Sequence, residues 1–241
     1  MVLFVSQFNL YQATSPKIKV VLLQKNAILK KILIFILFVF PVLLSAQRFN
    51  GGIIAGGLVS QVDGDNNAGF HKLGFLGGGL VSLRLSPHSS LQMELQYIQK
   101  GSRGTDTIYL TDFLMRFHYL EVPLLYQYTF AKRFSIEAGP AMDVLLGYYM
   151  ENNGLEATDI FKDPPYNSPL RNVTLVGIFG VSGYISKHLK VNFRFNYSLL
   201  SIREPTETPP SIYRYILWQK GQFNNVLSLS LLWYFKPNED L

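Results

Sequence analysis

Residues 89–101 read SSLQMELQYIQKG, and their alternation decides the fold. One parity carries Leu91, Met93, Leu95 and Tyr97. The other carries Gln92, Glu94, Gln96 and Lys100, with Ile98 its one apolar member. A period of two predicts a β-strand with unlike faces. It leaves open which face meets water. In a soluble protein the apolar face is buried. In a membrane barrel it looks at lipid, and the polar face lines a lumen.

On both sides of this stretch the chain reads as more strands. They are expected at about 49–60, 70–86, 113–130, 133–149, 171–186, 188–201 and 222–236. The cleanest is LKVNFRFNYSL (189–199), where Leu189, Val191, Phe193, Phe195 and Tyr197 alternate with Lys190, Asn192, Arg194, Asn196 and Ser198. No amphipathic helix stands out after residue 46. With residues 89–101 the strands number eight. Most exceed the roughly 9–11 residues that cross a bilayer at a tilt. The connections alternate in length: 61–69, 102–112, 150–170 and 202–221 are long, whereas 87–89, 131–132 and 187 are short. Short turns on one side and long loops on the other are the pattern of an outer-membrane barrel. The expected fold is therefore an all-β, eight-stranded, antiparallel up-and-down transmembrane barrel.

A soluble ligand-binding barrel has the same period, but three features favour lipid. Only 16% of residues are charged, while Phe (18), Tyr (14) and Gly (19) are abundant, which is too little charge for a soluble exterior. Aromatics gather near strand ends, as in interfacial girdles: Tyr126, Tyr128 and Phe130; Tyr148 and Tyr149; Trp233, Tyr234 and Phe235. The final strand is apolar at Leu227, Leu229, Leu231, Trp233 and Phe235. It resembles the terminal strand signal read by outer-membrane insertion machinery, with KPNEDL following it.

The net charge of +6 suggests nucleic acid at first sight. Yet residues 1–46 carry Lys17, Lys19, Lys25, Lys30 and Lys31 and no acid. Without those five lysines, 17 bases face 16 acids, so no nucleic-acid partner is expected. The same segment reads as export chemistry. Lys25, Lys30 and Lys31 form a basic region ahead of ILIFILFVFPVLL (32–44), and Leu44-Ser45-Ala46 ends small. A cleaved signal peptide is expected, with cleavage after Ala46 and the barrel domain at 47–241. The apolar run is 13 residues, short of the roughly 20 a helical span needs, and holds Pro41. Residues 1–24 precede an ordinary signal and look superfluous. The expected location is the outer membrane of a Gram-negative cell.

With the apolar parity facing lipid, the lumen should receive Arg84, Glu94, Lys100, Glu121, Glu137, Asp143, Lys190 and Arg194. An eight-stranded barrel is only wide enough for side chains to fill it, and ions there must pair. An ion-pair network of Arg84, Glu94, Lys100, Glu121, Glu137 and Arg194 is expected to plug the barrel, with Glu94 close to Arg84 or Arg194. A proton or solute path is the other reading of ionisable groups at that depth.

Catalysis finds no support. There is no GxSxG or HExxH, and His71, His88, His118 and His188 are scattered. His118 with Asp112 or Asp143 is the nearest candidate pair. His118 and Arg116 share the outward parity near the upper end of their strand, which calls for a bulge there or an extension above the membrane. GFLGGG (74–79) lies within a strand with no helix after it, so it is not a nucleotide loop. The chain has no cysteine, which removes disulfides and thiolate sites. No catalytic residue, cofactor or metal is expected.

SLQMELQYIQKG (90–101), HYLEVPLLYQY (118–128), IEAGPAMDVLLG (136–147) and FNNVLSLSLLWYF (223–235) together resemble the PorT-like outer-membrane β-barrel proteins of Bacteroidota. The resemblance covers residues 47–236. Glu94, Lys100, Gly101, Glu121, Pro123, Glu137, Gly139 and Pro140 fall at that family's characteristic positions. It implies the fold and the outer membrane, and it implies no catalytic residue. Some members are implicated in type IX secretion and gliding. Two classes of function follow. One is a monomeric structural or interaction barrel, set in outer-membrane lipid and presenting long loops to a secretion-machinery or envelope partner. The other is a narrow transport or small-ligand-binding barrel.

Overall fold

The computed structural model describes residues 49–65, 69–106, 111–216 and 218–238. The expected signal peptide and its cleavage site lie outside them. The described strands are β1 (Phe49–Asp63), β2 (Lys72–Arg84), β3 (Ser89–Asp106), β4 (Thr111–Phe130), β5 (Phe134–Asn152), β6 (Leu155–Glu156), β7 (Val173–Tyr184), β8 (Leu189–Ser198), β9 (Arg214–Ile216), β10 (Gln219–Gly221) and β11 (Phe223–Tyr234). Eight of them close a ring in the order β1, β2, β3, β4, β5, β7, β8, β11 and back to β1. Each pairs antiparallel with its neighbour. β6 extends the top of β5, and β9 with β10 forms a separate hairpin.

The sidedness is inverted relative to a soluble barrel. In β3, Gln92, Glu94 and Gln96 are no more than 2% exposed, while Met93 and Leu95 are each 55% exposed. β8 repeats this, with Lys190, Asn192, Arg194, Asn196 and Ser198 buried and Phe193 and Phe195 outside. Backbone pairing makes the inversion tolerable. A closed barrel satisfies its own N–H and C=O groups, so the outer surface can be apolar all round. The soluble alternative fails, because it needs the polar parity outside.

The interior is not uniformly polar. Ile54, Leu58 and Val62 of β1, Leu76 and Leu80 of β2, and Val226 and Leu232 of β11 all bury inward in one apolar cluster. Ile98, the odd apolar residue of β3, joins them. The lumen is thus a packed core with an apolar side and a charged side. A lumen this narrow must be filled with whatever packs.

Three tight turns, at 85–88, 131–133 and 185–188, join strands at one end. Ala131 and Lys132 both take positive φ, 50° and 63°, as a tight hairpin demands. The aromatics of this end form a belt: Phe130 stacks on Phe134 at 6.3 Å, His88 on Tyr128 at 6.3 Å and His188 on Trp233 at 5.4 Å.

The other end is uneven. β3, β4 and β5 run 18, 20 and 19 residues, against 12, 10 and 12 for β7, β8 and β11. Each residue of a tilted strand adds about 2.5 Å of height. The β3–β5 wall therefore rises about 20 Å above the β7–β8 side. Much of the loop expected at 102–112 is strand in this wall. On β5 the pairing slips between His118 and Tyr119 of β4, where Leu146 is the extra residue. This bulge lies where the outward pair Arg116 and His118 called for a bulge or an extension. The wall supplies the extension as well.

Candidate functional site: the charged lumen and its outer cap

Two ion clusters fill the polar side of the lumen. The lower one centres on Arg194 of β8. Its two terminal nitrogens donate to both Glu94 oxygens at 2.6 and 2.7 Å, and Nε donates to Glu137 Oε1 at 2.5 Å. Amides complete the shell. Gln92 donates to Glu94 at 2.5 Å, Asn192 to Glu137 at 2.9 Å and Gln127 to Glu137 at 2.8 Å. Lys190 donates to Gln127 at 3.3 Å and lies 5.2 Å from the Tyr184 ring centroid. Glu137 is on β5 and Arg194 on β8, with β7 between them. Gly180 of β7 is in register with both. A Cβ there would come within 2.9 Å of Glu137 Oε1 and 3.0 Å of Arg194 Cγ. The missing side chain is what lets the two charges meet across an intervening strand.

The upper cluster centres on Lys100 of β3. Its ammonium bridges Glu121 at 2.5 Å and Asp143 at 2.7 Å, which are directly opposite each other on β4 and β5. Glu121 Oε1 also accepts from Gln96 at 2.7 Å and from Asn196 at 3.4 Å. Every ionised group in both clusters is at most 2% exposed.

Five of the six residues expected in one network lie in the lumen but in two separate clusters, Glu94, Glu137 and Arg194 in the lower and Lys100 and Glu121 in the upper. Arg84 is elsewhere. It is exposed at the last position of β2, and its guanidinium donates to the backbone oxygens of Ser86 and Pro87 at 3.4 and 3.5 Å. Parity gave its face correctly but not its depth. Next to a turn, a long side chain reaches water and carbonyls instead of the lumen.

A third buried ion cluster was not visible in the sequence. Arg203 and Asp159, from the two longest connections, form a bidentate contact at 2.9 Å on each side. Arg203 also donates to Ser168 O at 2.9 Å and Gln222 Oε1 at 2.7 Å, and packs over the Phe161 ring at 4.8 Å. The segments fasten to each other around it. Leu170 bridges to Arg203, Ser168 donates to Glu204 O at 2.6 Å, and Thr206 donates to Tyr166 O. Tyr213 leans on Ser168 at 3.3 Å, and burial raises its phenol above the ordinary range. Ile202 joins the apolar cluster that also holds Val62 and Phe117. Together these segments cap the outer mouth of the barrel. Loop residues follow no period, so only the composition of the loop, with an arginine set in a Pro-rich stretch, hinted at an anchor.

Chemically, the arrangement holds charge still. His118 donates to or accepts from Tyr97 OH at 2.5 Å on the outer face, away from the buried Asp143. Among the described residues no group of three or more His, Asp or Glu is placed to hold a metal ion.

Residues 45–204 match the family described as "Outer membrane protein beta-barrel domain". The chain belongs to that family. Its place is accordingly the outer membrane of Gram-negative cells, embedded in lipid. Among solved structures it is similar to Neisserial surface protein A, at 12% identity and a TM-score of 0.45, covering 78% of this chain and 97% of that one. It is similar to Ail, the attachment invasion locus protein of Yersinia pestis, at 11% identity and 0.44, covering 77% and 98%. It is also similar to the outer membrane protein OprG from Pseudomonas aeruginosa, at 13% identity and 0.34, covering 78% and 94%. No curated protein matches the sequence.

Proposed function

We propose that this outer-membrane barrel is a plugged, monomeric structural and interaction component, which works through its loops and rim while its lumen stays shut. One observation carries this reading. Lys100 and Arg194 are ion-paired in the lumen out of reach of solvent, and a further ion pair, Arg203–Asp159, locks the cap over the outer mouth. A conducting path needs an open, wet lumen, and here Arg194 of β8 reaches straight across to Glu94 of β3. The tall β3–β5 wall and the cap are the surfaces a partner would meet. The resemblance to PorT-like proteins supports a partner in type IX secretion, and that assignment rests on the resemblance alone.

Planar-bilayer recording of the refolded barrel tests the closed lumen, with no defined conductance step expected. A reproducible single-channel step would instead favour the narrow transport barrel. Cross-linking in native outer membrane, followed by purification, tests the interaction role. A stable envelope protein should co-purify, and a barrel recovered alone would count against that role.

A further inference from the structure

The outer face of the tall wall carries cations at a defined height. Count up β4 from Tyr128 in the short-turn aromatic belt. The outward residues Tyr126, Leu124, Val122 and Leu120 are followed by His118 and Arg116. Ten residues separate Tyr128 from His118, a climb of about 25 Å, the height of a barrel's apolar band. Arg116 lies about 5 Å higher. The neighbouring strands change at the same level. On β3 the row Leu91, Met93, Leu95, Tyr97 gives way to Gln99, which pairs with His118. These positions sit where the outer leaflet passes from acyl chain to headgroup.

The groups there form a notch. Tyr97 hydroxyl bonds His118 Nδ1 at 2.5 Å, fixing the imidazole. Lys72, on the inward parity of β2 and only 3% exposed, lies behind it, with its ammonium donating to Gln99 Oε1 at 3.2 Å and to Leu73 O at 3.0 Å. Arg116 is held over the Tyr149 ring at 5.8 Å. On the β5 side Gly147 faces His118, and a Cβ there would meet nothing within 4 Å. Among the described residues no carboxylate lies within ion-pair distance of Lys72, Arg116 or His118. The acids around it are Asp112, which pairs with Arg103 at 2.9 Å, and Glu151 and Glu156 at the top of β5 and on β6, of which Glu151 accepts from the Tyr149 hydroxyl. A guanidinium with no ion-pair partner and an imidazole fixed near it, beside an opening and at headgroup height, are complementary to an anion that arrives from the membrane.

We propose that Arg116 and His118 form a binding notch for the phosphate of an anionic outer-leaflet lipid, with Tyr149 and Tyr97 holding the two side chains in place. The site is on the outside of the barrel and is independent of whether the lumen conducts.

The test uses the full barrel refolded into nanodiscs of phosphatidylcholine doped with lipid A. The discs are extracted into detergent, and retained lipid is counted by native mass spectrometry. Wild type should keep lipid A in preference to phosphatidylcholine. Arg116→Gln should keep roughly fivefold less, the effect of one lost cation near a charged surface, and His118→Gln should also keep less. Arg116→Lys should recover most of the retention. Arg133→Gln, which removes a charge at the opposite rim, should match wild type. Circular dichroism confirms that each variant is folded, and the His118 variant stands in should Arg116→Gln fail. Equal retention by wild type and both notch variants, or no preference for lipid A in wild type, would overturn the site. Release of the bound lipid by excess inorganic phosphate would also overturn it, since that marks a free-anion site instead of a lipid site.

Discussion

Among the described residues two arginines are buried, and they are held by different means. Arg194 is set by strand register, with Glu94, Glu137, Gln92 and Asn192 all on positions that the ladder turns inward. Arg203 is set by two irregular segments that meet Asp159, Ser168 and Gln222 from three directions. The first cannot loosen without breaking the wall. The second can open while the wall stays intact. A buried charge is therefore only as secure as the backbone that carries it, and local stability in the cap is set apart from that of the barrel.

Arg194→Met breaks the comparison most severely. It strands Glu94 and Glu137 without their cation, and should cost about 3–5 kcal/mol in urea titrations of the barrel refolded in vesicles. Leu95→Arg attacks the same wall from outside. Leu95 is directly across the strand from the Glu94 side, and a cation near the midplane should cost about 2–4 kcal/mol in the same titration. Little change would return the sidedness of β3 to question. Gly180→Ala sharpens the register argument, because the added methyl pushes on both Glu137 and Arg194. A loss of about 1–3 kcal/mol is expected. Arg203→Met should give the smallest change. The cap loses about 1–2 kcal/mol, since Asp159 escapes to water once the loops part. Hydrogen exchange should then quicken in 157–171 and 199–213 while the strands keep their protection. Faster exchange throughout the strands would mean that the cap and barrel form one cooperative unit.

These two arginines also mark what the sequence could disclose. Arg194 was legible because Leu189 to Ser198 alternates without a fault, so parity alone turned it inward. The same logic brought in Glu94, Glu121 and Glu137. It failed at Arg84 because a period reports a face and carries no height, and Arg84 is one step from a turn. Arg203 and Asp159 were illegible for a related reason: 44 positions apart in loops, they are joined by a fold of the chain that no local pattern encodes. The apolar half of the lumen was foreshadowed only by Ile98. On β1 and β2, Gly-rich sequence blurs the parity that Ile54, Leu58, Leu76 and Leu80 obey.

The pairing of β1 with β11 has a consequence for assembly. Twelve residue pairs, from Gly52–Tyr234 to Asp63–Phe223, join the first strand to the last. Until residues 223–234 arrive, a seven-stranded sheet has two raw edges. In hydrocarbon each unsatisfied backbone group on them costs several kcal/mol. A half-built sheet is therefore costly in the bilayer, which couples entry into the membrane to the closure of β11 on β1.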